Sequence, residues 1–163
     1  MNYLAKDYPE YVRGEYMNIL VIDGQGGKIG SMVISLLKKV LPELEVIAIG
    51  TNSIATSAML KAGADKGASG ENPVIVNAAK ADIIVGPLGI VVANSMLGEV
   101  TPKMAEAIGA SKAQKLLIPT TNCNNIVLGT ETLSINEIIL IAVDRISKII
   151  KEKPQCYDMH PKS

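Results

Sequence analysis

The chain contains no phenylalanine and no tryptophan, and its 16 basic residues are balanced by 16 acidic ones. Proteins that bind single-stranded nucleic acid usually stack the bases on aromatic side chains. Proteins that neutralise many phosphates of DNA or RNA need an excess of lysine and arginine. Since the chain has neither feature, its composition argues against nucleic acid as a partner.

Histidine and cysteine are scarce as well. His160 is the only histidine, and Cys123 and Cys156 are the only cysteines. A single histidine near the end of the chain argues against histidine metal sites and against Ser-His or Cys-His catalytic pairs. Two cysteines are too few for a disulfide framework, so we expect free thiols in a reducing compartment and no metal site. Cys123 has no basic neighbour in the sequence that would favour a reactive thiolate.

Long apolar runs are absent too. No run approaches the ~18–20 residues that cross a bilayer, and the N-terminus has no apolar stretch of signal-peptide length. We therefore expect a cytoplasmic protein with no membrane partner. The 163 residues, of which 48% are hydrophobic, suit one domain with an aliphatic core. A homodimer is the expectation for its assembly, because symmetric dimers are the commonest oligomers.

The sequence divides into three parts. Residues 1–16 hold four of the five tyrosines and sustain no period of 2 or 3.6, so we predict an N-terminal extension there, with Met17 as an alternative start. Residues 17–151 carry the periodic pattern and are predicted to form a single nucleotide-binding domain. Residues 152–163 are predicted to be a C-terminal tail.

From residue 18 onward, short apolar runs alternate with segments of helical spacing. The predicted strands are Ile19–Ile22, Val46–Ile49, Asp65–Ala68, Asp82–Val85, Leu116–Ile118 and Ile126–Leu128. The predicted helices are Ile29–Val40, Ser53–Ala62, Pro73–Lys80 with Asn72 as its cap, one that begins at Thr101-Pro102, and one that begins at the capping box Ser134–Glu137. The segment Ile90–Leu97 fits a helix or a strand equally well. This alternation predicts an α/β fold, a Rossmann-like, doubly wound, mainly parallel sheet with helices on both faces.

Four glycines follow the first predicted strand in the stretch "DGQGGKIG". In parallel sheets, ligands bind beyond the carboxyl ends of the strands. Glycines let the backbone approach a pyrophosphate, and the free N–H groups and positive dipole end of the following helix favour an anion. The sequence therefore predicts a nucleotide phosphate site formed by Gly24, Gln25, Gly26, Gly27, Lys28, Ile29 and Gly30.

The glycine-rich stretch also suggests three other interpretations. A P-loop needs lysine directly before the hydroxyl residue, whereas Ile29 and Gly30 separate Lys28 from Ser31, so that order argues against a P-loop. The loop could hold another anionic ligand, or it could be a tight turn with no ligand. Asp23 would repel a nearby phosphate, and it is expected either to cap N–H groups of the loop or to face a ribose hydroxyl.

Two further loops lie at the same predicted edge of the sheet. Thr51, Asn52 and Ser53 follow the second strand, where an NAD site usually offers an acid to the ribose 2′-hydroxyl. They include no acid for NAD and no arginine for a 2′-phosphate, so they either contact the cofactor weakly or cap the next helix. Gly86, Pro87 and Gly89 would let the backbone pass close to a cofactor, or they form an ordinary turn.

Four motifs carry a resemblance to a known family: "NILVIDGQGGKIG", "AIGTNSIATSAMLKAGADKGASGEN", "ADIIVGPLGIV" and "IPTTNCNNIVLG". They resemble a family from low-GC Gram-positive bacteria that is known as a domain of unknown function. The likeness covers roughly residues 17–150 and implies a Rossmann-like fold without an established activity. The segment Gly24–Gly30 is also similar to the nucleotide loop of dihydrodipicolinate reductases, which use NADH or NADPH. Their histidine-rich catalytic segment has no counterpart in this chain, so their reaction is not implied.

We therefore predict that the chain binds a nicotinamide dinucleotide, NAD or NADP, or a related nucleotide at the glycine loop. The chain is short for a two-domain dehydrogenase and shows no catalytic motif. A small NAD(P)-dependent oxidoreductase and a sensor of cofactor state are both compatible with this interpretation. The alternative is a non-catalytic interaction protein whose glycine-rich turn binds no ligand.

Overall fold

The computed structural model describes residues 17–120 and 125–152. The predicted extension, the tail beyond residue 152, Cys123, Cys156 and His160 lie outside the described residues. The elements follow one another as β1 (Ile19–Asp23), α1 (Lys28–Val40), β2 (Val46–Gly50), α2 (Ser53–Lys61), β3 (Lys66–Ser69), α3 (Glu71–Ala78), β4 (Ile83–Pro87), α4 (Pro102–Ala110), β5 (Gln114–Ile118) and α5 (Ile135–Glu152). None of the described helices has the length and apolar character that crossing a membrane requires.

The strands form one sheet in the order β3-β2-β1-β4-β5, and every neighbouring pair is parallel. The chain runs outward from β1 to β3 and then returns to the other side of β1 with β4. This is the strand order of doubly wound dinucleotide-binding folds, which confirms the predicted fold class. The order reverses between β1 and β4, so a crevice for a ligand is expected there, at the carboxyl ends of the strands.

Helices cover both faces of the sheet. Ile19 and Val21 of β1 join the apolar cluster that contains α1, α2 and α5. Leu20 and Ile22 join the opposite cluster, which contains α3 and α4. Because both faces are covered, every residue of β1 and β4 is buried, and this explains their continuous apolar runs.

Two details of the predicted elements are wrong. Helix α3 begins at Glu71 after Gly70, whose φ is 101°, so Asn72 is not its cap. Pro73 still lies in the first turn, where a missing N–H costs no hydrogen bond. Residues 126–128 form no strand, and the side chains of Ile126 and Leu128 are 85% and 83% exposed. An apolar run of three residues is too short to define a strand by its pattern.

The ambiguous segment 90–97 is neither a regular helix nor a strand. Residues 88–101, here called the β4–α4 connection, contain two short 3₁₀ helices at Leu88–Val91 and Met96–Gly98. Ile90 and Val100 are buried and fix the connection to the core. Between them, Asn94, Met96 and Leu97 have left-handed φ angles of 63°, 56° and 59°. The connection thereby folds back over the carboxyl edge of the sheet.

Candidate functional site

Three segments meet at the carboxyl edge of the sheet, beside the point where the strand order reverses. They are the glycine loop at residues 24–30, the segment 51–53 after β2, and the β4–α4 connection. Asn52 donates one hydrogen bond to the Gln25 carbonyl at 3.0 Å and another to Glu99 Oε2 at 2.9 Å. The side chain of Asn52 therefore contacts both of the other segments.

Asp23 ends β1 and lies beneath the glycine loop. Its Oδ1 accepts a hydrogen bond from the Gly24 N–H at 2.7 Å, and its Oδ2 accepts one from the Gly30 N–H at 2.7 Å. The residue before α1 is Gly27, which has no side chain to cap the helix, so Asp23 satisfies N–H groups that a capping side chain usually takes. The prediction that Asp23 caps N–H groups of the loop is confirmed.

The surroundings of Asp23 contain groups that raise the pKa of its carboxyl and groups that lower it. Burial raises the pKa of the Asp23 carboxyl, and the hydrogen bonds from Gly30, Gly24 and Ile29 oppose that effect without cancelling it. The negative charge of Glu99 raises the pKa further. A carboxylate at this position thus stabilises the start of α1 but keeps negative charge close to the loop.

Glu99 places a second carboxylate on the glycine loop, from the β4–α4 connection. Its Oε2 accepts hydrogen bonds from the Gln25 N–H at 2.7 Å, from Thr51 Oγ1 at 2.5 Å and from the Asn52 amide at 2.9 Å. Partial burial disfavours the charged form, but these bonds outweigh it and lower the pKa of the Glu99 carboxyl. Glu99 is therefore ionised at neutral pH.

Three of the four glycines are required by packing. At Gly24, a Cβ would lie 2.7 Å from Thr51 Oγ1 and 2.9 Å from Glu99 Oε2. Gly27 has a φ of 69°, and its Cβ would lie 2.8 Å from the backbone of Ala55 in α2. At Gly30, a Cβ would lie 3.0 Å from Asp23 Cβ and would also meet Met59 of α2. These glycines let the loop, α1 and α2 approach one another closely.

Gly26 differs from the other three. It is exposed, and a Cβ at this position would have no atom within 4 Å. Its φ lies outside the left-handed region that Gly27 occupies. Neither packing nor a left-handed φ therefore accounts for a glycine at this position.

Lys28 and Ile29 begin α1 next to these glycines. Lys28 is exposed, so its ammonium group is accessible to solvent and to ligands. Ile29 packs against the core cluster on the α1 face of the sheet, so only its backbone faces the loop. Its N–H contributes to the cap that Asp23 provides.

The predicted residues after β2 take different roles. Asn52 Oδ1 accepts a hydrogen bond from the Ala55 N–H at 2.8 Å and caps α2, as the capping alternative predicts. Thr51 lies between Asp23 and Glu99, since its N–H donates to the Asp23 carbonyl at 2.9 Å. Ser53 is exposed and is the first residue of α2.

Gly86, Pro87 and Gly89 lie deeper than the other predicted site residues. Gly86 and Pro87 are the last residues of β4, and all three are buried. A Cβ on Gly86 would overlap the carbonyl oxygen of Ile22 in β1. The close approach of β1 and β4 accounts for Gly86 without a ligand, and the β4–α4 connection covers this end of the strand.

Glu99 was missed from the sequence, because it lies 48 residues from Thr51 along the chain. Nothing in the local pattern around Gly98-Glu99 marks a binding residue. Only the strand order and the folded-back connection bring this carboxylate to the end of β2. A sequence argument that looked for an acid directly after the second strand could not find it.

The chemical groups of the site suit binding better than a recognisable catalytic step. The Thr51 hydroxyl and the Asn52 amide already donate to Glu99 and Gln25, so the remaining donors are backbone N–H groups and Lys28, and the acceptors are the two carboxylates. Within residues 17–120 and 125–152, no group of three His, Cys, Asp or Glu side chains could hold a metal ion. N–H groups and lysine are donors that suit anions, and carboxylates are acceptors that suit hydroxyl groups.

A protein family described as a domain of unknown function (DUF3842) matches residues 18–151. The chain belongs to this family. The match of the DUF3842 family includes the glycine loop, the start of α2 and the whole β4–α4 connection. No curated protein matches the chain significantly.

Among solved structures, the DUF3842 chain is similar to the dodecameric FMN-dependent UbiX-like decarboxylase from Escherichia coli O157:H7. The identity is 11% and the TM-score 0.40, over 89% of this chain and 100% of that chain. At this level of similarity, neither the flavin nor the assembly of that enzyme transfers to the DUF3842 chain.

Proposed function

We propose that the chain binds a nicotinamide dinucleotide or a related nucleotide, with the phosphates at the glycine loop. The single observation that carries this proposal is Gly26. A glycine costs conformational entropy on folding, and here neither its φ nor a neighbouring atom requires it. An open glycine at the mouth of a doubly wound sheet leaves space for a phosphate to approach the backbone.

The groups around Gly26 fit an anion on that side of the loop. The N–H groups of Gly26 and Lys28 are not among those bonded to the carboxylates of Asp23 and Glu99. The first turn of α1 directs the positive end of its dipole to this point. Lys28 is exposed beside it. A phosphate above Gly26 would thus contact donors, while Asp23 stays beneath the loop.

A bound nicotinamide would supply hydride transfer, and the chain's own groups would bind and orient it. Both a small oxidoreductase and a sensor of cofactor state fit this arrangement. The residues that would contact the dinucleotide are Gly26, Lys28 and Glu99, while Thr51 and Asn52 hold the Glu99 carboxylate in place. Of these, Gly26 and Lys28 would contact the phosphates.

Thermal unfolding with NAD⁺ and NADP⁺ tests the proposal. A ligand at 100 times its dissociation constant stabilises the folded state by about 2.7 kcal/mol, which is roughly 5–10 °C in Tm for a domain of this size. Gly26→Asp should abolish the shift, because it places a carboxylate in the open space above the loop. Gly109→Asp is the matched control, since Gly109 is also an exposed glycine with open space, on α4.

A second candidate, a non-catalytic interaction protein with no ligand at this turn, is favoured by a specific observation. The chain's own carboxylates already accept hydrogen bonds from the N–H groups of Gly24, Gln25 and Gly30. Under this alternative, NAD⁺, NADP⁺, ATP, FAD and a sugar nucleotide would all leave the Tm unchanged. An equal ligand-induced shift in wild type and Gly26→Asp would instead place the binding site elsewhere.

Two further proposals rest on composition and base rates rather than on contacts. We infer a cytoplasmic location from the two cysteines, which are too few for a disulfide framework. We also propose a homodimer, the commonest assembly of small enzymes and binding proteins. Sedimentation velocity over a hundredfold range of concentration tests the dimer, and a single species of about one chain mass at every concentration would contradict it.

A further inference from the structure

The carboxylate of Glu99 lies where a doubly wound dinucleotide site normally has an acid. In such sites the acid follows the second strand and accepts a hydrogen bond from the adenosine ribose. In this chain β2 ends at Gly50 and is followed by Thr51 and Asn52. Glu99 Oε2 is 2.5 Å from Thr51 Oγ1 and 2.9 Å from Asn52 Nδ2. The β4–α4 connection thus supplies the acid that the β2–α2 loop lacks.

The orientation of Glu99 leaves one oxygen for a ligand. All three of its donors, the Gln25 N–H, the Thr51 hydroxyl and the Asn52 amide, bond to Oε2. Within the described part of the chain, no donor contacts Oε1. Since Oε2 is held by both the glycine loop and the start of α2, the side chain is fixed before any ligand arrives. A side chain that is already held in place loses little further conformational entropy when its oxygen accepts a hydrogen bond from a ligand hydroxyl.

The charges around Glu99 discriminate between two kinds of ribose. A 2′-hydroxyl can donate to a carboxylate, whereas a 2′-phosphate would add negative charge beside Glu99 and Asp23. The ion pairs of the described residues, Lys38–Asp65, Lys66–Glu45 and Lys148–Asp144, all lie elsewhere. Arg145, the one arginine among the described residues, lies on α5. Among residues 17–120 and 125–152, neither these ion pairs nor Arg145 would therefore provide a cation for a 2′-phosphate at this end of the site.

We propose that Glu99 accepts the ribose hydroxyls of the bound nucleotide and makes the site select NAD over NADP, an inference that rests on the nucleotide binding proposed above. The selecting residue comes from the connection after β4 rather than from the loop after β2. Thr51, Asn52 and the Gln25 N–H act as positioning groups that hold the carboxylate.

Isothermal titration of NAD⁺ and NADP⁺ into the full-length protein tests the inference. Wild type should bind NAD⁺ at least about tenfold more tightly than NADP⁺, because a hydrogen bond to a charged group discriminates by that order. Glu99→Gln should weaken NAD⁺ about tenfold and reduce the preference. Glu106→Gln, an exposed glutamate of α4, is the control and should bind as wild type does. Glu99→Asp keeps the charge but shortens the side chain, and should bind NAD⁺ with intermediate affinity.

The possible failures are distinguishable. If both dinucleotides bind but Glu99→Gln leaves their ratio unchanged, or if wild type prefers NADP⁺, the role of Glu99 is overturned and the nucleotide site stands. If Glu99→Gln binds both dinucleotides more tightly, the carboxylate competes with the phosphates and the role is likewise overturned. If neither dinucleotide binds to wild type, the proposed function fails and the inference fails with it. Urea unfolding of each variant verifies that it is folded.

Discussion

Both carboxylate oxygens of Asp23 accept hydrogen bonds from N–H groups of the glycine loop. This determines how a neutral replacement affects stability. Asparagine has one acceptor oxygen, so in Asp23→Asn either the Gly24 N–H or the Gly30 N–H loses its acceptor and faces an amide donor. A buried N–H without a partner costs about 1–3 kcal/mol, and relief from burying a charge offsets part of this. We expect Asp23→Asn to lower the free energy of unfolding by about 1–2 kcal/mol, measured by urea denaturation.

The control for Asp23→Asn is Asp144→Asn. Asp144 pairs with Lys148 at 2.6 Å on the exposed face of α5, and exposed pairs of this type contribute about 0.3–0.5 kcal/mol. An Asp23→Asn protein as stable as the control variant would show that the N–H groups at the start of α1 do not depend on this carboxylate.

The charge of Glu99 should contribute to the free energy of unfolding at neutral pH, and this contribution should be lost in acid. Because its folded-state pKa is lowered from the ordinary 4.5, its contribution is full above that value and is lost as the pH falls through the folded-state pKa. Glu99→Gln keeps one oxygen that can accept from the same three donors, but it loses the charge and replaces the other oxygen by an NH2 group. We expect it to be less stable than wild type by about 1 kcal/mol at pH 7, and the difference should decrease as the pH falls below 4.5.

Thermal unfolding of both proteins between pH 7 and pH 3 measures this difference. Asp23, whose pKa shifts in the opposite direction, is present in both proteins, so its titration cancels except for the part that the Glu99 charge causes. A stability difference that stays constant down to pH 3 would mean that the charge of Glu99 does not contribute to folding.

At the residue scale, the sequence could predict local contacts and could not predict contacts between distant segments. Asn52 caps α2, which begins at the next residue, and Asp23 accepts a hydrogen bond from the Gly30 N–H, seven residues further along the chain. Both follow from side-chain length and loop geometry. Glu99 contacts Gln25 across 74 residues, and that pairing depends on the strand order. The predicted contact of the glycine loop with a nucleotide remains a prediction.

At the scale of elements, the same substitution should destabilise the protein at Gly27 and have little effect at the neighbouring Gly26. Gly27→Ala puts a Cβ at a φ of 69° and 2.8 Å from the Ala55 backbone, so α2 must move away from the loop. We expect a loss of about 2–3 kcal/mol of unfolding free energy, from strain and disrupted packing. Gly26→Ala adds its Cβ to open space, and we expect a change within about 0.5 kcal/mol.

Urea denaturation of the two variants provides the comparison. Gly27 is consequently a poor position for testing ligand binding, because its substitution changes the fold itself. Equal stability of the two variants would contradict the close packing of the glycine loop on α2.

The elements that the sequence predicted correctly are those with a strong local signal. Thr101 caps α4 by accepting from the Met104 N–H at 3.2 Å, and Pro102 follows as its first residue. Ser134 and Glu137 form the predicted capping box of α5. The apolar run 126–128 had no such signal, and its side chains turn to solvent. The β4–α4 connection could not be predicted, because left-handed residues other than glycine leave no clear pattern.

At the scale of the whole molecule, the alternation of strands and helices predicts a parallel, doubly wound sheet, because short links between such elements permit few other architectures. The strand order 3-2-1-4-5 does not follow from the alternation. It depends on which face each crossover takes, and that is decided by the packing of α3 and α4 against the side chains of β1, β2 and β4 that face them.

The strand order also predicts which strands unfold locally most easily. Strand β1 pairs on both sides, with β2 and β4, and is buried on both faces, whereas β3 pairs only with β2 and is largely exposed. Local opening is easiest where few apolar contacts and hydrogen bonds must break. In hydrogen-exchange mass spectrometry, amides of β1 should therefore exchange last, near the rate of global unfolding. Those of β3 should exchange at least about tenfold faster, and equal protection of both strands would contradict an edge position for β3.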